Sequence, residues 1–167
     1  MSLIRMTLAV LALAMLSACG DSKFRSYDGP EVTRVVVFKT ERVVQLMHRD
    51  TVLKRYGMGL GFAPQGHKRF EGDGRTPEGH YYIDRRNPNS NYHLSIGISY
   101  PNVVDRAQAD ALGLSPGGNI FIHGVGKNVD RKTAKGDWTA GCIAVQDREM
   151  EEIYAMVRDG TPITIYP

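Results

Sequence analysis

The chain has 167 residues, the size of one domain with a short appendage. With 42% hydrophobic and 23% charged residues it is not a disordered chain, and it can bury a core without metals or disulfides. The formal net charge of +3 is too small to argue for a nucleic-acid partner.

In chain order, Arg5 precedes an apolar stretch over residues 6–16 that is short for a membrane span. It ends in Leu16-Ser17-Ala18-Cys19, small residues before a cleavage point, as in a secretory signal. Removing residues 1–18 leaves 20 basic against 18 acidic residues. Residues 20–31 are polar and turn-rich and read as a tether. Extended, they reach on the order of 40 Å at about 3.3 Å per residue.

Residues 32–38, 43–47 and 51–56 are rich in β-branched and apolar side chains, and turns separate them. They predict a three-stranded meander. The glycines at 57, 59 and 61 do not precede a helical pattern, so they are no dinucleotide fingerprint. Residues 72–79 are a turn-dense loop, and 81–83 a short strand. The alternation of Tyr92, Leu94, Ile96, Ile98 and Tyr100 with polar or small residues predicts a strand over 92–100. A short helix is expected over 105–112, with Gly113 at its C-terminal end. Strands are expected at 119–123, 143–145 and 163–165. Residues 124–138 read as a long loop, and Asp147 as the N-cap of a helix carrying Met150, Ile153, Tyr154 and Val157 on one face. The sum is a mainly β, α+β fold, β-sandwich-like, with one or two short helices.

The chain has two cysteines. If Cys19 is the processing site, Cys142 is the single thiol of the folded domain and has no partner for an internal disulfide. His123 ends one strand and Cys142 begins another, nineteen positions later. If those strands are neighbours, the imidazole can take the proton of a thiol whose free pKa is about 8.5. Gly141 lets a substrate approach the backbone, and amide groups around Cys142 are candidate oxyanion donors. The alternative from residue types alone is a structural histidine and an inert, buried thiol.

Ile122-His123-Gly124, with Thr139-Ala-Gly-Cys-Ile143 beginning fifteen positions after Gly124, resembles the signature of the YkuD-type L,D-transpeptidases. Residues 72–79 (Gly-Asp-Gly-Arg-Thr-Pro-Glu-Gly) are similar to that family's G-D-x-x-T-P-x-G segment. Residues 99–102 (Ser-Tyr-Pro-Asn), 137–145 and 160–165 are similar to its YafK/ErfK-like subgroup. The resemblance covers residues 32–167, the expected catalytic domain. Leu16-Ser-Ala-Cys19 resembles the bacterial lipoprotein box, in which Cys19 would carry the lipid. The resemblance implies a periplasmic enzyme, lipid-anchored to a membrane and acting on peptidoglycan stem peptides without metal or cofactor. Gly20 after the cysteine favours the outer membrane. Cys142 would attack the carbonyl of the L-centre of meso-diaminopimelate. His123 would act as base and then acid, with its ring oriented by the Gly124 carbonyl. The acyl group would pass to an amine, forming a 3→3 cross-link or a protein attachment. Alternatively it would pass to water, cleaving the same linkage or releasing a peptidoglycan-bound lipoprotein. A non-catalytic peptidoglycan-binding module is the third reading. The common signature has His at position 140 and often Arg or Asn at 144. Here Ala140 and Ala144 stand instead, so substrate positioning does not carry over.

Thr139 is either an oxyanion-shaping group or a turn hydroxyl. His93 is either on the strand face that looks into the cleft or a surface histidine, and Trp138 either walls the cleft or belongs to the core. Arg131, with Lys132 and Lys135, either meets substrate carboxylates or is a solvated loop charge. No pair among His67, His80, His93 and His123 has metal-ligand spacing.

Overall fold

The computed structural model describes residues 22–130, 134 and 136–167. The expected signal segment, Cys19, Arg131, Lys132 and Lys135 lie outside the described residues.

The meander forms as expected: β1 (Arg34–Phe38), β2 (Val43–His48) and β3 (Thr51–Gly57) pair antiparallel. The remaining strands are β4 (Gly79–Asn87), β5 (Ser95–Ile98), β6 (Phe121–His123), β7 (Ile143–Ala144) and β8 (Pro162–Tyr166). The helices are α1 (Val103–Asp110) and α2 (Asp147–Met156). All eight strands share one sheet in the order β3-β2-β1-β8-β4-β5-β6-β7. The fold is thus mainly β with two short helices, as the sequence predicts. Val35, Val36 and Val37 are all buried on β1, because that strand is internal, between β2 and its parallel neighbour β8.

β4 is the corner of the sheet. Its first half pairs with β8 and its second half with β5, with the register shifting between Ile83 and Arg85. A shift of this kind bends and twists a sheet. The sheet curls until its edges meet. Beyond β3, Gly59 exchanges two backbone hydrogen bonds with Ala144 of β7, at 2.8 and 2.9 Å. Two residues on, Thr139 N–H donates to the Leu60 carbonyl (3.0 Å) and Phe62 N–H to the Thr139 carbonyl (2.9 Å). The glycines at 59 and 61 permit this closure. A Cβ on Gly59 would lie 2.1 Å from the Gly136 carbonyl oxygen, and one on Gly61 would lie 2.1 Å from that of Gly74.

Leu46, Leu60, Leu94, Ile96, Ile122 and Ile163 fill the interior. Each such side chain contributes about 1.5–3 kcal/mol when fully buried. α2 covers one side, seating Met150, Ile153 and Met156 near β5 and β6. Its N-cap is Gln146, whose N–H donates to Glu149 Oε2 at 2.9 Å. Asp147, expected as the cap, is instead the first helical residue. α1 is capped by Asn102, which accepts from Val104 and Asp105 N–H, while Asp105 accepts from Asn102 N–H.

The strand expected over 92–100 is only β5. His93 has φ +73°, so the chain turns before Leu94. All four residues of β5 are buried, because Gly97 lies beneath Asp84 and Arg85 while Ile96 and Ile98 enter the core.

Residues 22–31, read as a tether, lie against the domain. Lys23 Nζ donates to the carbonyls of Pro88 (2.6 Å) and His93 (3.1 Å). Arg25 donates twice to Glu151 Oε2, at 2.7 and 2.9 Å. Tyr27 packs on the core.

Candidate active site

β6 and β7 are parallel neighbours, with Ile122 opposite Ile143. This register brings His123 and Cys142 to one cavity of about 270 Å³, which Asn91, Tyr92, Ser95 and Phe121 also line.

His123 is 3% exposed. Its Nδ1 lies 2.6 Å from the Gly124 carbonyl oxygen, which only accepts, so Nδ1 carries the hydrogen. In the neutral ring Nε2 is then the free acceptor, the state a base requires. Gly124 thus stands where the resemblance puts the orienting carbonyl. Asp147 holds that turn: its Oδ1 accepts from Val125 N–H (2.8 Å) and Gly126 N–H (2.9 Å). A Cβ on Gly124 would come within 2.5 Å of the same oxygen.

Tyr92 lies against the imidazole with ring centroids 4.5 Å apart, and Trp138 meets it edge-on at 5.7 Å. Trp138, read as either cleft wall or core, thus packs against the His123 ring and is not among the residues lining the cavity. Burial pushes the His123 pKa below its ordinary value, against the opposing pull of the Gly124 hydrogen bond.

Cys142 is partly buried, and its thiol lies 3.5 Å from the Asn119 carbonyl oxygen. Burial pushes its pKa up, outweighing the Phe121 backbone hydrogen bond and the positive charges of Lys68 and Arg85. Both shifts favour the neutral thiol and the neutral imidazole over a thiolate–imidazolium pair. Iodoacetamide alkylation of Cys142, mapped by peptide mass, should therefore rise with pH to a midpoint above about 8.5, the ordinary thiol value. A reactive plateau near pH 7 would instead reveal a resting ion pair.

The turn that presents the thiol is tied from several sides. Thr139 is buried; its hydroxyl donates to the Cys142 carbonyl (2.7 Å) and accepts from Gly141 N–H (3.1 Å). Of the two roles open to Thr139, the structure displays the turn hydroxyl. Gly141 has φ +138°, and a Cβ there would lie 2.7 Å from the Arg75 carbonyl. Its N–H is already engaged by Thr139, so its contribution is conformational. Asp137 accepts from Leu60 N–H at 2.9 Å and from Arg42 at 2.7–3.2 Å, which pins the start of this segment.

The loop at residues 68–75 supports the turn from outside. Asp73 accepts from Lys68 Nζ and from the N–H groups of Arg69, Phe70 and Arg75. Burial raises the Asp73 pKa, but these donors win and hold it below the usual carboxylate value.

His93 is not among the residues lining the cavity of His123 and Cys142. Its Nε2 pairs with Glu151 Oε1 at 2.9 Å, in an adjoining cleft, because the positive φ swings the side chain away from the strand face. Ala140 and Ala144 do not line the cavity of Cys142 either. Ala140 is exposed, and Ala144 is buried against Gly59. Sequence reasoning missed the roles of Tyr92, Asn119 and Asp147. Asn119 has φ +55°, a conformation asparagine tolerates, and only its carbonyl faces the thiol, so its side chain carries no signal. Among the described residues, no three His, Cys, Asp or Glu side chains group so as to hold a metal ion.

This architecture and site define a class. Residues 32–165 match the model of YkuD, the L,D-transpeptidase catalytic domain, and the chain belongs to that family. It is 28% identical over 146 residues to the provisionally named L,D-transpeptidase YafK of Escherichia coli K12, covering 80% of this chain and 53% of that one. The chain thus spans about half the length of the curated relatives it matches. Among solved structures it is similar to the helical cell shape determining protein Pgp2 of Campylobacter jejuni. That likeness has a TM-score of 0.63 and 25% identity, covering 90% of this chain and 53% of the other. An L,D-transpeptidase from Mycobacterium smegmatis shares the fold at a TM-score of 0.54 and 13% identity, covering 81% of this chain and 59% of that one.

Proposed function

We propose that this domain is a peptidoglycan L,D-transpeptidase that works through an acyl-enzyme on Cys142. One observation carries the reading: in a YkuD-family chain, Cys142 lines the same cavity as a His123 whose Nε2 is a free acceptor. Sγ attacks the carbonyl of the L-centre of meso-diaminopimelate in a stem peptide, and His123 Nε2 takes the thiol proton. The backbone amides of Ala140 and Cys142 hold the oxyanion, since that of Gly141 is spent on Thr139. The imidazolium then returns the proton to the leaving amine, the C–N bond breaks and a thioester remains. An incoming amine attacks the thioester and gives its proton to His123, which passes it to the departing thiolate. The product is a 3→3 cross-link or a protein attachment.

One feature favours a second outcome. Cys142 itself is only partly buried, so a thioester on it is within reach of water. Water in place of the amine hydrolyses the thioester, which makes the enzyme an amidase, and the bond to a peptidoglycan-linked lipoprotein is one such substrate. Incubation of the full chain with a tetrapeptide muropeptide and with a muropeptide carrying a Lys-linked peptide separates these outcomes by product mass. Loss of D-Ala with 3→3 dimers marks transfer. Release of the Lys peptide without dimers marks hydrolysis. No product from either marks a non-catalytic binding module and refutes the proposal.

The lipoprotein-box resemblance at Cys19 supports a periplasmic domain held to a membrane by lipid. Cys19→Ala should move the protein from the membrane fraction to the soluble one, and unchanged fractionation would refute the anchor.

A further inference from the structure

Beside the cavity of Cys142 lies a second cleft of about 570 Å³, and Ser90 and Asn91 line both. Lys23, His93, Lys127 and Glu151 also line the second cleft. Its charges do not cancel. Both oxygens of Glu151 are engaged, Oε1 by His93 and Oε2 by Arg25. Neither Lys23 nor Lys127 has a carboxylate partner among the described residues. An ammonium has three donors. Lys23 spends two of its own on the carbonyls of Pro88 and His93, the two ends of the loop that walls both cavities. Those bonds fix the amine at the cleft, 5.5 Å from the centroid of the Phe24 ring, and leave one hydrogen without a hydrogen-bond acceptor.

We propose that this cleft is a carboxylate-binding subsite for the substrate chain, with its charge supplied by Lys127 and by Lys23 from the N-terminal segment. The subsite rests on the peptidoglycan reading above and adds a recognition element to it. A peptide whose reacting carbonyl sits at Cys142 runs past Ser90 and Asn91 and places an acidic group between the two ammoniums. Residues 22–27 are then part of the site as well as a link to the membrane.

The test is calorimetric binding to the full-length Cys142→Ala chain, which removes turnover from the readout. The ligands are a tetrapeptide stem with free carboxylates and the same peptide fully amidated. Lys127→Gln and Lys23→Gln should each weaken binding of the acidic peptide about tenfold, as loss of one charge-assisted hydrogen bond does. The amidated peptide should bind all three chains equally, and added salt should narrow the difference between the two peptides. Lys127 is exposed and makes no hydrogen bond or ion pair with the described residues, so its variant remains informative if Lys23→Gln loosens the loop. Equal binding of the acidic peptide to all three chains overturns the subsite and leaves the peptidoglycan reading intact. Binding of neither peptide to any chain overturns that reading and the subsite with it.

Discussion

Replacing Cys142 with alanine is expected to lower turnover of stem peptides by about 10⁴-fold or more while leaving the fold intact. The size follows from the mechanism: without Sγ no thioester forms, and positioning alone gives little residual rate. The fold should survive because the turn is held by groups the substitution spares. The Thr139 hydroxyl bonds the Cys142 carbonyl, and Thr139 itself bridges Leu60 and Phe62 through its backbone. The stability cost should stay within about 1 kcal/mol, as expected for one partly buried sulfur. His123→Gln should cost about 10²–10⁴-fold, the usual contribution of a positioned base. Rates measured beside thermal melts of each variant separate loss of chemistry from loss of fold. Wild-type turnover by a folded Cys142→Ala chain would remove the cysteine from the mechanism.

Gly61→Ala should be the most damaging single methyl in the site's scaffold. Its Cβ would lie 2.1 Å from the Gly74 carbonyl oxygen and 3.1 Å from Gly141 Cα. Both obstacles are backbone, so no side chain can rotate out of the way. One belongs to the loop that supports the nucleophile turn, and the other to the turn itself. Forced separation should cost about 2–4 kcal/mol and lower the melting temperature by about 10 °C. It should also lower activity, because the displaced segment carries Cys142. Gly57→Ala is the control, since nothing lies within 4 Å of its Cβ. Equal melting temperatures for the two variants would contradict the closure of the sheet between residues 57–61 and 139–144.

What the sequence discloses about this molecule depends on the range of the interaction. β1, β2 and β3 are legible because short runs of β-branched and apolar residues and the turns between them act over a few positions. His123 and Cys142 are legible because strand-end placement and a dense motif coincide. Contacts between distant residues leave no local trace. Arg25 and Glu151 are 126 positions apart, and nothing in the polar run signals that residues 22–31 dock. His93 follows the period-two pattern of its neighbours, yet a positive φ removes it from the strand. Asp147 looks like a cap before an apolar run, but its carboxylate holds the loop after β6, and Gln146 caps the helix. The glycines at 59 and 61 show in the sequence only as a run with no helix after it, whereas they are where the sheet closes on itself.

The central claim is that Cys142 carries the acyl group. The direct measurement is intact-protein mass after rapid acid quench of the full chain mixed with a tetrapeptide stem, followed by peptide mapping. An adduct with the mass of the tripeptide acyl group, mapped to Cys142 and absent from Cys142→Ala, is the predicted result. Turnover of the same stem with no adduct at any quench time, and unchanged in Cys142→Ala, would contradict it.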